Sequence, residues 1–272
     1  MPELPEVETT KNAVLPFKGK ILKQIIVNNP SLRWPVDQKA IKKIKDVKIL
    51  SVSRRAKYIF LDLDNLTIII HLGMTGTFRI QNLGSNETKK HDHIIFEFKD
   101  KILIFNDPRR FGSLHITEDP QDHFLIKHLG PEPLEEDFNS EYLFRKIKKA
   151  GVSTKSFLMN QKNVVGIGNI YACEILFSSG ISPKRKIKYL NKSQCKEIVR
   201  NTKRIIKEAI TKGGTTLKDF YSADGNKGYF KIELNVYDRE NKECREYVKT
   251  RLFGLFRIKG QLFIARAARA NG

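Results

Sequence analysis

Apolar residues in the first half of the chain come in short runs broken by polar turns. Lys57–Leu63 (KYIFLDL) and Leu66–Leu72 (LTIIIHL) flank Asp64-Asn65 and predict a β-hairpin. Asp92–Phe98 and Lys101–Asn106 repeat the arrangement around Lys99-Asp100. Lys20–Asn28 and Lys48–Arg54 read as further strands, and roughly Glu6–Leu15 as an opening helix. The β-branched and aromatic content and the short turns predict antiparallel sheets up to about residue 120, as a β-sandwich or flattened barrel flanked by helices. After the turn-rich Gly130-Pro131-Glu132-Pro133-Leu134 the apolar period becomes helical. Ser140–Lys149, Ser153–Met159, Ile170–Ser178 and Lys192–Lys212 are the helix candidates, so the fold class is α+β.

Charge narrows the partner. The 272 residues carry a formal net charge of +20, with Lys and Arg spread throughout, which points to a polyanion bound through counterion release. Ribosomal proteins and nucleases share this signature, so it names no reaction. Cys173, Cys195 and Cys244 are scattered and odd in number, which suits a reducing compartment and gives no disulfide framework. The start is acidic and lacks an apolar core, and no long apolar run follows, so neither a signal peptide nor a membrane span is expected.

Candidate chemistry begins at the first residues, Met1-Pro2-Glu3-Leu4-Pro5-Glu6-Val7-Glu8. Loss of Met1 would leave Pro2 with a free secondary amine, and an α-amino group titrates near pH 7.7–8.0, leaving a nucleophilic fraction at neutral pH. Glu3 would be an adjacent proton carrier. The same residues also read as an ordinary acidic helix start, with Pro5 in its first turn. Arg54-Arg55 and Lys57 make either a phosphate contact or a solvated strand end. In His71-Leu72-Gly73-Met74-Thr75-Gly76, the glycines permit a tight excursion that presents Met74 outward, although a lone methionine also suits a core. Asn106-Asp107-Pro108-Arg109-Arg110-Phe111-Gly112 sets arginines beside an aromatic, a combination able to wedge into a duplex. Gly166-Ile167-Gly168-Asn169 opens a helix and offers backbone N–H groups to a phosphate.

In this order and spacing, MPELPEVE, Lys57, HLGMTG and NDPRRFG resemble the formamidopyrimidine-DNA glycosylases, bacterial 8-oxoguanine repair enzymes grouped with endonuclease VIII. The resemblance runs to about residue 244. It implies an N-terminal catalytic β-sandwich domain (1–130), a helix-two-turn-helix DNA-binding domain (131–228) and a zinc-finger region (229–272), here degenerate. It implies Pro2 as the nucleophile, Glu3 as acid/base and Lys57 as a catalytic lysine. Met74, Arg109 and Phe111 match the residues that fill the gap left by the everted base. His91, Asn169 and Arg109 match DNA contacts, and Lys155 is a further candidate phosphate contact. Gly213–Phe220 resembles the loop closing over the everted base. The partner implied is damaged double-stranded DNA, bound by a cytoplasmic monomer. The activity implied is glycosylase and AP lyase action on oxidised purines, the alternative being a damaged-DNA binder with little turnover.

The tail departs from the pattern. The family usually ends in a four-cysteine zinc finger, and here Cys244 is followed by no cysteine or histidine through residue 272. No metal is therefore expected, and a zincless hairpin over Leu252–Phe263 is one reading. Another is out-of-frame translation of 247–272 after a small insertion near codon 247, or an error in reading it. Taken from the third base of each codon, the degenerate codons allow a cysteine after Cys244-Arg245-Glu246, then Arg-Ser-Thr-Phe and two further cysteines at the family's spacing. The gene must encode that run in the shifted frame if this reading is right.

Overall fold

The computed structural model describes residues 1–85, 87–214, 234–242 and 244, and the backbone of 255–258 and 261–264. It divides into two units, Met1–His128 with Lys212–Lys231, and Leu129–Thr211 with Ile232–Gly272. The sequence pattern puts a boundary at 130/131; the structure divides the chain at 128/129.

In the first unit, helix α1 spans Leu4–Val14, starting two residues ahead of the predicted Glu6. The reason is local: Glu6 reaches back to accept the Glu3 N–H at 2.9 Å, so the first turn closes around Pro5. Strands β1 (Ile21–Leu22) and β2 (Gln24–Val27) divide the predicted Lys20–Asn28, and β3 (Val47–Lys48) and β4 (Ser51–Arg55) divide Lys48–Arg54. A short helix α2 (Gln38–Lys42) lies between them, capped by Asp37. Next come β5 (Tyr58–Asp62), β6 (Thr67–His71), β7 (Thr77–Asn82), β8 (Asp92–Glu97), β9 (Lys101–Asn106) and β10 (Ser113–Thr117).

These strands form two four-stranded antiparallel sheets, β10-β6-β5-β4 and β2-β8-β9-β7, and a small β1-β3 pair. Ile59, Leu61, Ile68 and Ile70 of one sheet share a single buried cluster with Ile94, Phe96, Leu103 and Phe105 of the other. The unit is therefore a β-sandwich whose inner faces interdigitate.

The second unit is helical: α3 (Ser140–Ile147), α4 (Thr154–Met159), α5 (Asn169–Ser178) and α6 (Lys192–Thr211). Asn139 and Ser153 cap α3 and α4 with their side chains. Glu174 on α5 is 4% exposed and holds the later chain, its carboxylate accepting the N–H groups of Asn235, Val236 and Tyr237 at 2.9 Å each. Cys173 and Cys244 are buried with Val236 beside it. Strands β11 (Leu255–Ile258) and β12 (Gln261–Ile264) pair antiparallel in the reach where a hairpin is one reading. The loop residues 215–220 and the Ala/Arg run 265–270 lie outside the described residues. Among the described residues no helix is long and apolar enough to cross a membrane.

Candidate functional site

The first unit gathers buried ionisable groups at the start of α1. Glu3, Glu6 and Lys57 are 2%, 3% and 6% exposed, and Pro2 is buried beneath an exposed Met1. Lys57, expected to begin a strand, lies outside one. It sits in the two-residue loop Ala56-Lys57 between β4 and β5, set by the pairing of Arg55 with Tyr58. Ala56 takes a left-handed φ of 55°, unusual for a residue with a side chain and characteristic of such tight hairpins.

Arg54 links this loop to α1. Its Nε donates to Glu8 Oε2 at 2.6 Å and its Nη1 to the Ala56 carbonyl at 2.9 Å. At 12% side-chain exposure this guanidinium is used inside the protein, so the basic triplet is not a solvated strand end throughout. Burial would raise the Glu8 carboxyl, but hydrogen bonds from Lys11 and Arg54 outweigh it and hold its pKa below the ordinary value.

Burial lowers the Lys57 pKa, against the raising influence of Glu3 and Glu6. The α-amino group of Met1 is likewise lowered by burial; Glu3 and Glu6 oppose the shift, while Lys57 and Arg109 add to it. The amine, both carboxylates, Lys57 and Arg109 thus act on one another. The arrangement can hold an amine neutral with proton donors and acceptors beside it, which is what attack at an electrophilic carbon requires.

The two glycine-bracketed loops meet beside this cluster. A Cβ on Gly73 would stand 2.3 Å from the Phe111 carbonyl carbon, one on Gly76 2.3 Å from the Leu72 oxygen, and one on Gly112 2.6 Å from the Phe105 ring. Only glycine permits that approach. At the junction is Asp107, which is 0% exposed. Its Oδ1 accepts the Thr75 hydroxyl at 2.5 Å and its Oδ2 the Gly112 N–H at 2.7 Å. Thr75 Oγ1 in turn accepts the Arg109 N–H at 3.2 Å, and the Asp107 N–H donates to the His91 carbonyl at 3.1 Å.

The loops so fixed leave Arg109 exposed with its guanidinium 4.8 Å from the centre of the Phe111 ring, itself 45% exposed; Met74 is half-buried beside them. A cleft of about 710 Å³ opens here, lined by Met1, Arg33, His71, Met74, Arg109 and Phe111 among others. Of the residues singled out in the sequence, Pro2, Glu3, Lys57, Met74, His91, Arg109 and Phe111 all fall in this unit.

Besides Asp107, sequence reasoning missed three residues at the cleft. His71 and Arg33 line the cleft, and Trp34 stacks under the Arg33 guanidinium at 4.6 Å. Burial, then the nearby Lys57 and Arg33 charges, lower His71 to about 4, so it is neutral at pH 7. The chain's only tryptophan standing next to an arginine was the available signal.

In the second unit, Asn169 is the first residue of α5, after Gly168 at the cap position. The preceding loop is held by Gln161, which donates to the Met159 and Ile167 carbonyls and accepts the Gly166 N–H at 2.7 Å. The Oδ1 of Asn169 is buried and accepts no hydrogen bond from the described residues. Lys155, the further candidate phosphate contact, lies on α4 and is 0% exposed. The segment after α5 wraps its turn: Thr154 and Lys155 donate their N–H groups to the Arg185 and Pro183 carbonyls, and the Thr154 hydroxyl donates to Ser182.

The zinc finger that the resemblance implies does not fit this chain. A structural zinc needs four ligands. Cys244 is followed by no cysteine or histidine, and its thiol is packed beside Val236.

Comparison with known proteins gives one family. Residues 1–114 match the formamidopyrimidine-DNA glycosylase N-terminal domain and residues 129–221 the H2TH domain of the same enzymes. The formamidopyrimidine-DNA glycosylase of Hydrogenovibrio crunogenus is 48% identical over 248 residues, covering 90% of this chain and 88% of that protein. That of Proteus mirabilis is 49% identical over 246 residues, covering 90% and 89%. Among solved structures, wild-type Lactococcus lactis Fpg with DNA containing N7-benzyl-Fapy-dG superposes with a TM-score of 0.86 at 29% identity, covering 97% of each chain. The same enzyme with abasic-site DNA gives 0.86 and 29%, covering 96% and 97%.

Proposed function

The chain belongs to the formamidopyrimidine-DNA glycosylase family, and from that membership we infer how its buried N-terminal cluster works. It is a DNA glycosylase of base excision repair acting on oxidised purines, with the AP lyase activity of the family. Damaged-DNA binding without turnover is not favoured. The finer assignment of roles is our proposal. Removal of Met1 frees the Pro2 amine, which attacks C1′ of the damaged nucleoside. Glu3 moves the proton that opens the sugar ring. Departure of the base leaves a cationic iminium, which acidifies the C2′ proton and drives β- and then δ-elimination of the flanking phosphates. Lys57 assists proton transfer beside those phosphates. Met74, Arg109 and Phe111 fill the gap in the duplex, and the donors of Arg109 suit the acceptors of an orphaned cytosine. His91 and Asn169 contact the DNA, and the protein acts as a cytoplasmic monomer.

One observation carries this reading: Glu3, Glu6 and Lys57 are nearly excluded from water and act electrostatically on the terminal amine. Borohydride trapping on an 8-oxoguanine duplex tests it. A covalent adduct is expected with the processed chain and none when the N-terminus is blocked. Tight binding to the lesion duplex with no adduct from the processed chain would overturn it.

A further inference from the structure

Beyond the cleft, the first unit carries a surface that the mechanism leaves unused. Ser31 and Pro35 close a loop through a β-bridge, and the Arg33 N–H donates to the Gly112 carbonyl at 3.1 Å. This loop is therefore tied directly to the end of the wedge loop. Arg33 faces the cleft and lies over Trp34. Behind Trp34 the aromatics continue: its ring centre is 5.4 Å from His115 and 5.9 Å from Phe124, and His123 lies 4.6 Å from Phe124 and 5.0 Å from His115. Phe124 is 54% exposed, more than Phe111 in the wedge.

His115 reaches this shelf because β10 pairs with β6, setting His115 opposite Ile69 and Ser113 opposite the cleft residue His71. Burial and the His123 charge lower His115 to about 4, and burial lowers His123, so the side of the shelf away from Arg33 is an uncharged aromatic surface at neutral pH. In a chain of net charge +20, an uncharged aromatic surface running out of a cationic cleft does not serve a phosphate. Asp119, in the turn before His123, adds a negative charge there, while Asp122 is paired with Lys127 at 3.6 Å. A nucleobase offers what the shelf can use, a flat π face, with its own phosphate directed back towards Arg33.

We propose that the Arg33–Trp34–Phe124 shelf docks a base of the undamaged DNA strand, next to the nucleotide opposite the lesion. The assignment rests on the proposed function, and it adds a second place of contact to the wedge. Continuity with the cleft identifies the occupant: the shelf is joined to Gly112, so a strand displaced by Phe111 and Arg109 passes from the wedge onto Trp34 and Phe124.

Trp34 is the only tryptophan, so its fluorescence reports this surface directly. The full chain is titrated with a duplex bearing a stable abasic-site analogue, with 2-aminopurine placed in turn at undamaged-strand positions flanking the orphan. Trp34 emission should be quenched, and one aminopurine position should report stacking that Phe124→Ser abolishes. Phe124→Ser and Trp34→Ala should each weaken binding about 5- to 20-fold, the lower part of the range for stacking one base on an aromatic side chain. Neither should weaken binding to a duplex whose undamaged strand ends at the orphan. Unchanged binding in Phe124→Ser, or an equal loss on the truncated duplex, overturns the proposal. Phe124 is exposed, so that variant decides the matter even if Trp34→Ala fails to fold. Failure of the parent reading is separate, since it shows as absence of a borohydride adduct from the unaltered chain.

Discussion

Asp107→Asn asks whether the wedge depends on a single buried carboxylate. Asp107 is wholly enclosed and receives the Thr75 hydroxyl on one oxygen and the Gly112 N–H on the other, at 2.5 and 2.7 Å. Asparagine keeps one acceptor and turns the other into a donor, which must then face a donor. One bond to a charged group is lost, about 1.5–3 kcal/mol, and the Gly112 N–H or the Thr75 hydroxyl is left unpaired or reoriented. The expected net loss of stability is about 3 kcal/mol, readable as a shift of the urea midpoint at constant slope. The functional loss should be larger than this. Thr75 also positions the Arg109 backbone at 3.2 Å, so both wedge loops loosen together. Single-turnover base release should fall at least about 100-fold at a protein concentration that saturates DNA binding. A variant as stable as the parent would refute the energetic reasoning. One that loses stability but everts and releases the base at the parental rate would refute the view that this carboxylate sets the wedge geometry.

Other consequences concern the same site. Gly73 has φ of 63° and no room for a Cβ against the Phe111 backbone, so Gly73→Ala should cost at least about 2 kcal/mol in a denaturation experiment and reduce base release. A pH–rate profile for base release should be bell-shaped. Its alkaline limb should fall below 10.5, because activity needs the Lys57 proton and burial lowers the pKa at which that proton leaves; Lys57→Arg should remove this limb. A limb near the ordinary lysine value would exclude Lys57 as the acid. With a net charge of +20, binding to duplex DNA should weaken at least about tenfold over a fourfold rise in salt, and a flat response in a filter-binding assay would contradict phosphate contact.

The sequence disclosed the sandwich where strands are buried on both sides, and less well at its edges. Lys101–Asn106 emerges with the predicted bounds because β9 is an inner strand flanked by β8 and β7. The two strands that the pattern did not reveal, β7 (TFRIQN) and β10 (SLHIT), each close a sheet and pair on one side only. Edge strands bury fewer residues, so their apolar alternation is weak: in β7 only Phe78 is fully buried. The wedge loops were legible because glycine, arginine and phenylalanine mark them locally. The role of Asp107 was not, since an Asn-Asp-Pro run reads as a turn, and its burial depends on Gly112 approaching it across the turn while Thr75 arrives from another loop. Arg33 and Trp34 stand far before His115 and Phe124 in the sequence, and the bond from the Arg33 N–H to the Gly112 carbonyl, next to the start of β10, helps bring their loop to that strand.

The field around the chain's first residue bears on when the enzyme becomes active. The Met1 amine is already lowered by burial, with Lys57 and Arg109 adding to the shift, while Pro2 lies buried underneath. With Met1 in place the Pro2 nitrogen is an amide and cannot attack, while the wedge residues and Lys57 are the same side chains in both forms. A chain extended by one residue ahead of Met1, so that Met1 is retained, should therefore bind an abasic-analogue duplex within about twofold of the processed chain. It should form no borohydride adduct through Pro2, which is an amide in that form. Mass spectrometry of the trapped peptide locates any bond. An adduct at full yield on Lys57 in the extended chain would show that the buried lysine, not the terminal amine, is the nucleophile. Strongly weakened binding would show instead that Met1 removal completes the DNA surface as well as freeing the amine.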